Sequence, residues 1–145
     1  MAHYNFDKDL IDGLDAENSV KSLLKKKYKV SDDDIVSSTT KEFDIKIKSL
    51  NLTFEVKNDL MAEKTGNIAI EFESRGKPSG VSTTKADYWV YKFSNMFYII
   101  ERTVLVNELV NKGNYSRIVN GGDYGSNTMM YLVKVEAFKS WGEKL

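Results

Sequence analysis

Two alternating runs set close together constrain this chain more than any other feature. In 42–48 (EFDIKIK), Phe43, Ile45 and Ile47 alternate with Asp44, Lys46 and Lys48; in 52–57 (LTFEVK), Leu52, Phe54 and Val56 alternate with Thr53, Glu55 and Lys57. A period of two marks strands that are half buried. With Ser49 and Leu50 at the tip of a hairpin, Ile45 faces Phe54 and Asp44 faces Glu55. This register keeps both apolar sets on one face, which is what fixes register in a half-buried sheet. Directly opposed residues have Cβ atoms about 4.5–5.5 Å apart. Asp44 and Glu55 therefore form a carboxylate pair, with Lys57 two positions along on the same face.

Two carboxylates at that spacing repel one another unless a cation lies between them. Mg²⁺ suits the place, being a hard ion that prefers carboxylate and water oxygens and often takes only one or two protein carboxylates. Lys57 offsets the charge or positions a water. By residue pattern alone, a solvated sheet face with a cross-strand ion pair is the commoner arrangement for Asp44, Glu55 and Lys57, and both readings stay open.

A second carboxylate clue lies upstream. Residues 7–28 read as a helix with Leu10, Leu14, Leu24 and Tyr28 on one side, Val20 flanking them, and Lys25, Lys26 and Lys27 at the C-terminal end, where they suit the helix dipole. At about 100° per residue, Glu17 falls inside that apolar stripe. Its inward carboxylate either reaches over the hairpin, to the metal shell or to Lys57, or lies at the edge of the stripe.

Composition narrows the chemistry. The 145 residues suit a single domain, 1–145. Basic and acidic residues number 21 each, so a nucleic acid partner must be met by a local patch and not by bulk charge. There is no cysteine, which excludes disulfides and thiolate metal sites. The lone histidine, His3, is expected to fray with the terminus, so imidazole catalysis is not expected. No apolar run approaches a membrane span, and a soluble, cytoplasmic protein is expected, in the host cell if the chain is viral.

Further along, NIAIEFES (67–74) alternates again and completes an expected antiparallel meander. The stretch SRGKPSGVSTT (74–84) is rich in turn residues and ends in hydroxyls that suit the cap of a helix starting near Lys85. The aromatic and β-branched content of KADYWVYKFSN leaves a strand open there. A buried strand (MFYIIER), a short helix ended by Gly113 and a final strand (TMMYLVKVEAF) follow. The expected class is α/β, a mixed central sheet flanked by helices. SDDDIVSS (31–38) reads as a solvated connection, and Tyr88, Trp89 and Tyr91 as mostly core.

An acidic helix residue (Glu17), then Phe43-Asp44 and Glu55-Val56-Lys57 on a hairpin, resembles the PD-(D/E)xK nuclease superfamily over roughly residues 10–101. In size and helix glutamate it looks most like Holliday-junction resolvases and phage endonuclease I. The resemblance implies a restriction-endonuclease-like α-β-β-β-α-β core and hydrolysis of DNA phosphodiesters with Mg²⁺ or Mn²⁺. It implies Asp44, Glu55 and the Val56 carbonyl as metal ligands, Lys57 as the residue that orients water or neutralises charge, and Glu17 as an outer ligand or an orienting group. It further implies a homodimer acting on branched DNA. Restriction-type and single-strand nucleases of the same fold, a non-catalytic nucleic-acid-binding module and an unrelated interaction protein remain alternatives. Arg75, Lys77, Ser79, Thr83 and Lys85 are the expected phosphate clamp, an ordinary surface turn being the other reading. Glu71 and Glu73 are undecided. The NGGDY loop (120–124), with Arg117 near it, is read as a contact to substrate or a plain connection.

Overall fold

The computed structural model describes residues 6–40, 42–121 and 127–145, with side chains in the first helix described from Asp15 onward. The expectations for His3, for the side chains of Leu10 and Leu14, and for most of the NGGDY loop lie outside those residues. Helix α1 spans Phe6–Tyr28, and a 3₁₀ turn (Asp32–Asp34) leads into β1 (Ile35–Ser37), β2 (Ile45–Ile47) and β3 (Leu52–Asn58). A single turn, α2 (Ala62–Thr65), precedes β4 (Asn67–Ser74) and β5 (Lys77–Pro78). After a second 3₁₀ turn (Gly80–Ser82) come β6 (Tyr88–Phe93), β7 (Met96–Glu101) and α3 (Arg102–Val106), which runs on as a π-helical turn (Asn107–Asn111). The chain closes with β8 (Arg117–Gly121), β9 (Thr128–Lys134), α4 (Val135–Trp141) and β10 (Glu143–Lys144).

These strands form two sheets. The larger has the order β1-β2-β3-β6-β7-β10 and the smaller β5-β4-β9-β8. Among the described residues only β3 and β6 run parallel, which makes the larger sheet mixed. Its two faces are both covered. On one, Val20 and Leu24 of α1 meet Ile45, Ile47, Phe54, Val90 and Ile99. On the other, Trp89, Tyr91, Phe93 and Ile100 meet Ile68, Ile70 and Val133 of the smaller sheet and Phe138 of α4. The fold is therefore α/β, a mixed sheet flanked by helices.

Several expectations change. SDDDIVSS is not merely a connection: Ile35 to Ser37 pair with β2. The third alternating run does not extend a meander, because β4 joins the smaller sheet against β9. Asp59 marks the departure, its carboxylate accepting from the Met61 and Ala69 N–H groups at 3.1 and 2.9 Å. The neighbour of β3 is instead β6. Among the described residues no helix starts near Lys85. The aromatic and β-branched residues Tyr88 to Tyr91 are strand, and Ser94 and Asn95, both at positive φ, make the two-residue turn into β7. The final alternating run ends earlier than expected, at Lys134, and gives way to α4.

Candidate active site

The β2–β3 hairpin adopts the register expected from its alternation, with Ile45 opposite Phe54 and Ile47 opposite Leu52. One residue before β2, Asp44 departs from the register: its N–H donates at 2.9 Å to the carbonyl of Phe54, the residue already opposite Ile45, and its Oδ2 accepts the Val56 N–H at 2.7 Å. A carboxylate thus stands where the next strand residue would have paired. Backbone groups two residues apart on a strand face the same edge. The Val56 carbonyl accordingly shares the edge that Asp44 caps.

Glu55 and Lys57 project from β3 toward the smaller sheet. Lys57 Nζ lies 3.2 Å from Glu55 Oε1 and 5.7 Å from the centroid of the Trp89 ring. The Glu55 side chain is only 18 % exposed, against 42 % for Lys57. Burial raises the Glu55 pKa above the ordinary carboxylate value; Lys57 pulls it back, while Asp44, within hydrogen-bonding reach, raises it further. Two acids in contact and partly desolvated favour a proton or a metal cation between them. Among the described residues, no group of three or more His, Cys, Asp or Glu side chains is gathered to hold a metal. A divalent ion here would take the two carboxylates and the Val56 carbonyl, with water completing its shell, a set that suits Mg²⁺.

Glu55, Lys57, Glu71, Thr83, Thr84, Lys85 and Trp89 line one cavity of about 300 Å³, together with Glu42 and Gly80. The Gly80–Ser82 turn forms a wall against β4. Gly80 has φ +52°, and a Cβ there would lie 2.1 Å from the Glu71 carbonyl oxygen, so only glycine fits. The Trp89 Nε1–H donates to Thr84 Oγ1 at 3.1 Å, which sets the indole under the Lys57 ammonium.

The expected residues divide between the cavity and its surroundings. Asp44, Glu55, Val56 and Lys57 are brought together, and Thr83, Lys85 and Glu71 join Glu55 and Lys57 around the cavity. Glu17 accepts a hydrogen bond from Ser37 Oγ of β1 at 2.9 Å, and the bond to Lys57, one of the readings left open for it, is not among its contacts. It is partly buried at the edge of the arc formed by Ala16, Val20 and Leu24, where Ser37 is its partner. Arg75 and Lys77 are exposed on the β4–β5 turn and do not line the cavity. Ser79 Oγ is buried without a hydrogen-bond partner among the described residues. The expected helix N-terminus for phosphate is replaced by a three-residue 3₁₀ turn. Sequence reasoning missed Gly80 and the double role of Trp89, which is both core and cavity wall; the Ser-Gly pair after Pro78 was the available signal for Gly80.

A scan against protein-family models matches none, and searches of curated proteins and of solved structures return no match. Among the described residues, no helix is long and apolar enough to cross a membrane.

Proposed function

We propose that this chain is a divalent-metal-dependent DNA endonuclease that hydrolyses phosphodiesters, with branched DNA of the Holliday-junction kind as substrate. The observation that carries the reading is the Asp44–Glu55 carboxylate pair at an open strand edge with Lys57 beside it. Mg²⁺ or Mn²⁺ bound there supplies charge neutralisation at the phosphate and acidifies a water. The chain's own part is distinct: Asp44 and Glu55 hold the ion, Lys57 orients the water or steadies developing charge, and Thr83 and Lys85 meet a flanking phosphate. Glu17 serves through Ser37 to hold α1 against β1. In this reading α1, β2, β3 and β6 act as a restriction-endonuclease-like core in which the Gly80–Ser82 turn stands for the helix before β6. The site of action is the cytoplasm and the acting form a homodimer, with one site for each of two paired strands.

One observation favours a second reading. Lys57 already pairs with Glu55, and among the described residues no three acids are gathered closely enough to hold a metal, as befits a non-catalytic nucleic-acid-binding module. A cleavage assay separates the two, using a synthetic four-way junction, matched duplex and single strand with Mg²⁺, Mn²⁺ or EDTA. The proposal expects metal-dependent junction cutting that is lost in Asp44→Asn and Lys57→Ala. Cutting of duplex or single strand alone keeps the chemistry and removes the junction. Binding without cutting, with either metal, supports the module.

A further inference from the structure

A separate cavity lies elsewhere. About 380 Å³ in volume, it opens where the end of α1, the start of β6, the end of β7 and the α4–β10 turn meet. That volume is at the small end of ligand sites, which run roughly 300–1,000 Å³. Its aromatic lining is Tyr28, Tyr88 and Trp141, all only partly buried: Tyr28 and Tyr88 pack on Phe54, Lys27 Nζ lies 5.9 Å from the Tyr28 ring centroid, and the ring surface left exposed borders the cavity. Burial, followed by the neighbouring Tyr88, raises the Tyr28 pKa to about 12. The Tyr28 hydroxyl stays neutral at ordinary pH.

The charges around the cavity do not balance. Lys27 Nζ is committed to Glu143 Oε1 at 2.7 Å. Glu101, at the end of β7 opposite Tyr88, makes no ion pair or hydrogen bond with its carboxylate among the described residues. An anion entering the cavity meets that carboxylate, and a neutral apolar body leaves it unused. A cation satisfies it while its body covers the ring surface, because aromatic faces also attract cations. Gly142 shapes the wall: a Cβ there would come within 2.5 Å of the Ile99 carbonyl oxygen.

We propose that this cavity is a second binding site, for a small organic cation: an ammonium or guanidinium group carried on a short apolar or aromatic body. It does not rest on the nuclease reading, since Tyr88 faces the α1 side of the sheet and Trp89, in the candidate active site, faces the other.

The test is a titration of the full chain, followed by amide ¹H–¹⁵N shifts, with benzylamine, benzyl alcohol and benzoate at matched ionic strength. Benzylamine should give saturable shifts at Tyr88, Glu101 and Gly142, and bind about tenfold tighter than benzyl alcohol, a difference typical of one charge-assisted contact. Benzoate should give none. Glu101→Gln, an exposed change, should remove most of that preference. Lys27→Met releases Glu143 and should tighten benzylamine binding. Equal binding of the three compounds, the absence of saturable shifts at these residues, or an unchanged preference in a folded Glu101→Gln protein would overturn the proposal.

Discussion

The two walls of the candidate active site are built in opposite ways. The β3 wall is held by a strand ladder on both sides, parallel to β6 and antiparallel to β2, and its carboxylates are partly desolvated against Trp89 and each other. The facing wall, from Gly80 to Lys85, is a 3₁₀ turn and loop whose Thr83 and Lys85 are exposed. Rigid placement and low exposure suit groups that must hold an ion or a water at fixed geometry. Exposed hydroxyls and an ammonium on a turn suit contact with a backbone phosphate, which needs charge more than position. The difference teaches that chemistry and grip belong to different elements of this fold and can be altered separately.

The sharpest break of that comparison is kinetic. Asp44→Asn or Glu55→Gln should each reduce metal-dependent cleavage by about a thousandfold or more, as removal of a transition-state contact does. Lys85→Ala should instead raise KM by about tenfold with kcat preserved, since it removes binding common to ground and transition states. Steady-state cleavage kinetics checks both, and a kcat loss in Lys85→Ala would merge the two walls into one functional unit.

Stability gives the next effect. Gly80→Ala forces a Cβ onto the Glu71 carbonyl at a positive φ, and should cost about 2–3 kcal/mol in denaturant unfolding. Thr83→Ala, on an exposed residue of the same wall, should cost under about 0.5 kcal/mol. A neutral Gly80→Ala would mean that the turn does not press on β4.

A smaller effect opposes activity to stability within the β3 wall. The Glu55 pKa is raised in the fold, chiefly by burial, so the protonated form is favoured there. Stability linked to this group is complete below the ordinary carboxylate range and is lost as pH rises through the raised value. Glu55→Gln mimics the protonated acid. In metal-free buffer at pH 7 it should therefore raise the melting temperature by roughly 2–4 °C, and the gain should vanish near about pH 4. Melting curves across that range decide it; a lower melting temperature at pH 7 would mean that the Lys57 ion pair outweighs the burial of the charge.

How much of this was legible in the sequence follows from how local each feature is. The β2–β3 register from Ile45 to Ile47 was readable because alternation and a short turn fix it within a few residues; Asp44, expected opposite Glu55, lies just outside that register and bonds to Phe54 and Val56. The partner of β4 was not: its pairing with β9 joins Ile70 to Tyr131, far apart in sequence, and no local pattern names that neighbour. The three residues of β1 were too few to show a period inside an acidic, serine-rich stretch. Glu17 lies at the edge of the apolar stripe, one of the two positions its pattern allowed, and its partner, Ser37, lay on that unrecognised strand. Trp89 reads as core because it is core; that its face also lies near Lys57 depends on the parallel pairing of β3 with β6.

The central claim is that Asp44 and Glu55 together hold a divalent cation. Mn²⁺ titrated into ¹⁵N-labelled full chain tests it directly, because the paramagnetic ion broadens amides near its site. Selective broadening at Asp44, Glu55 and Val56 at low Mn²⁺, relieved by excess Mg²⁺ and absent in Asp44→Asn, is the predicted result. Broadening that spares these amides, or that persists unchanged in Asp44→Asn, would contradict it.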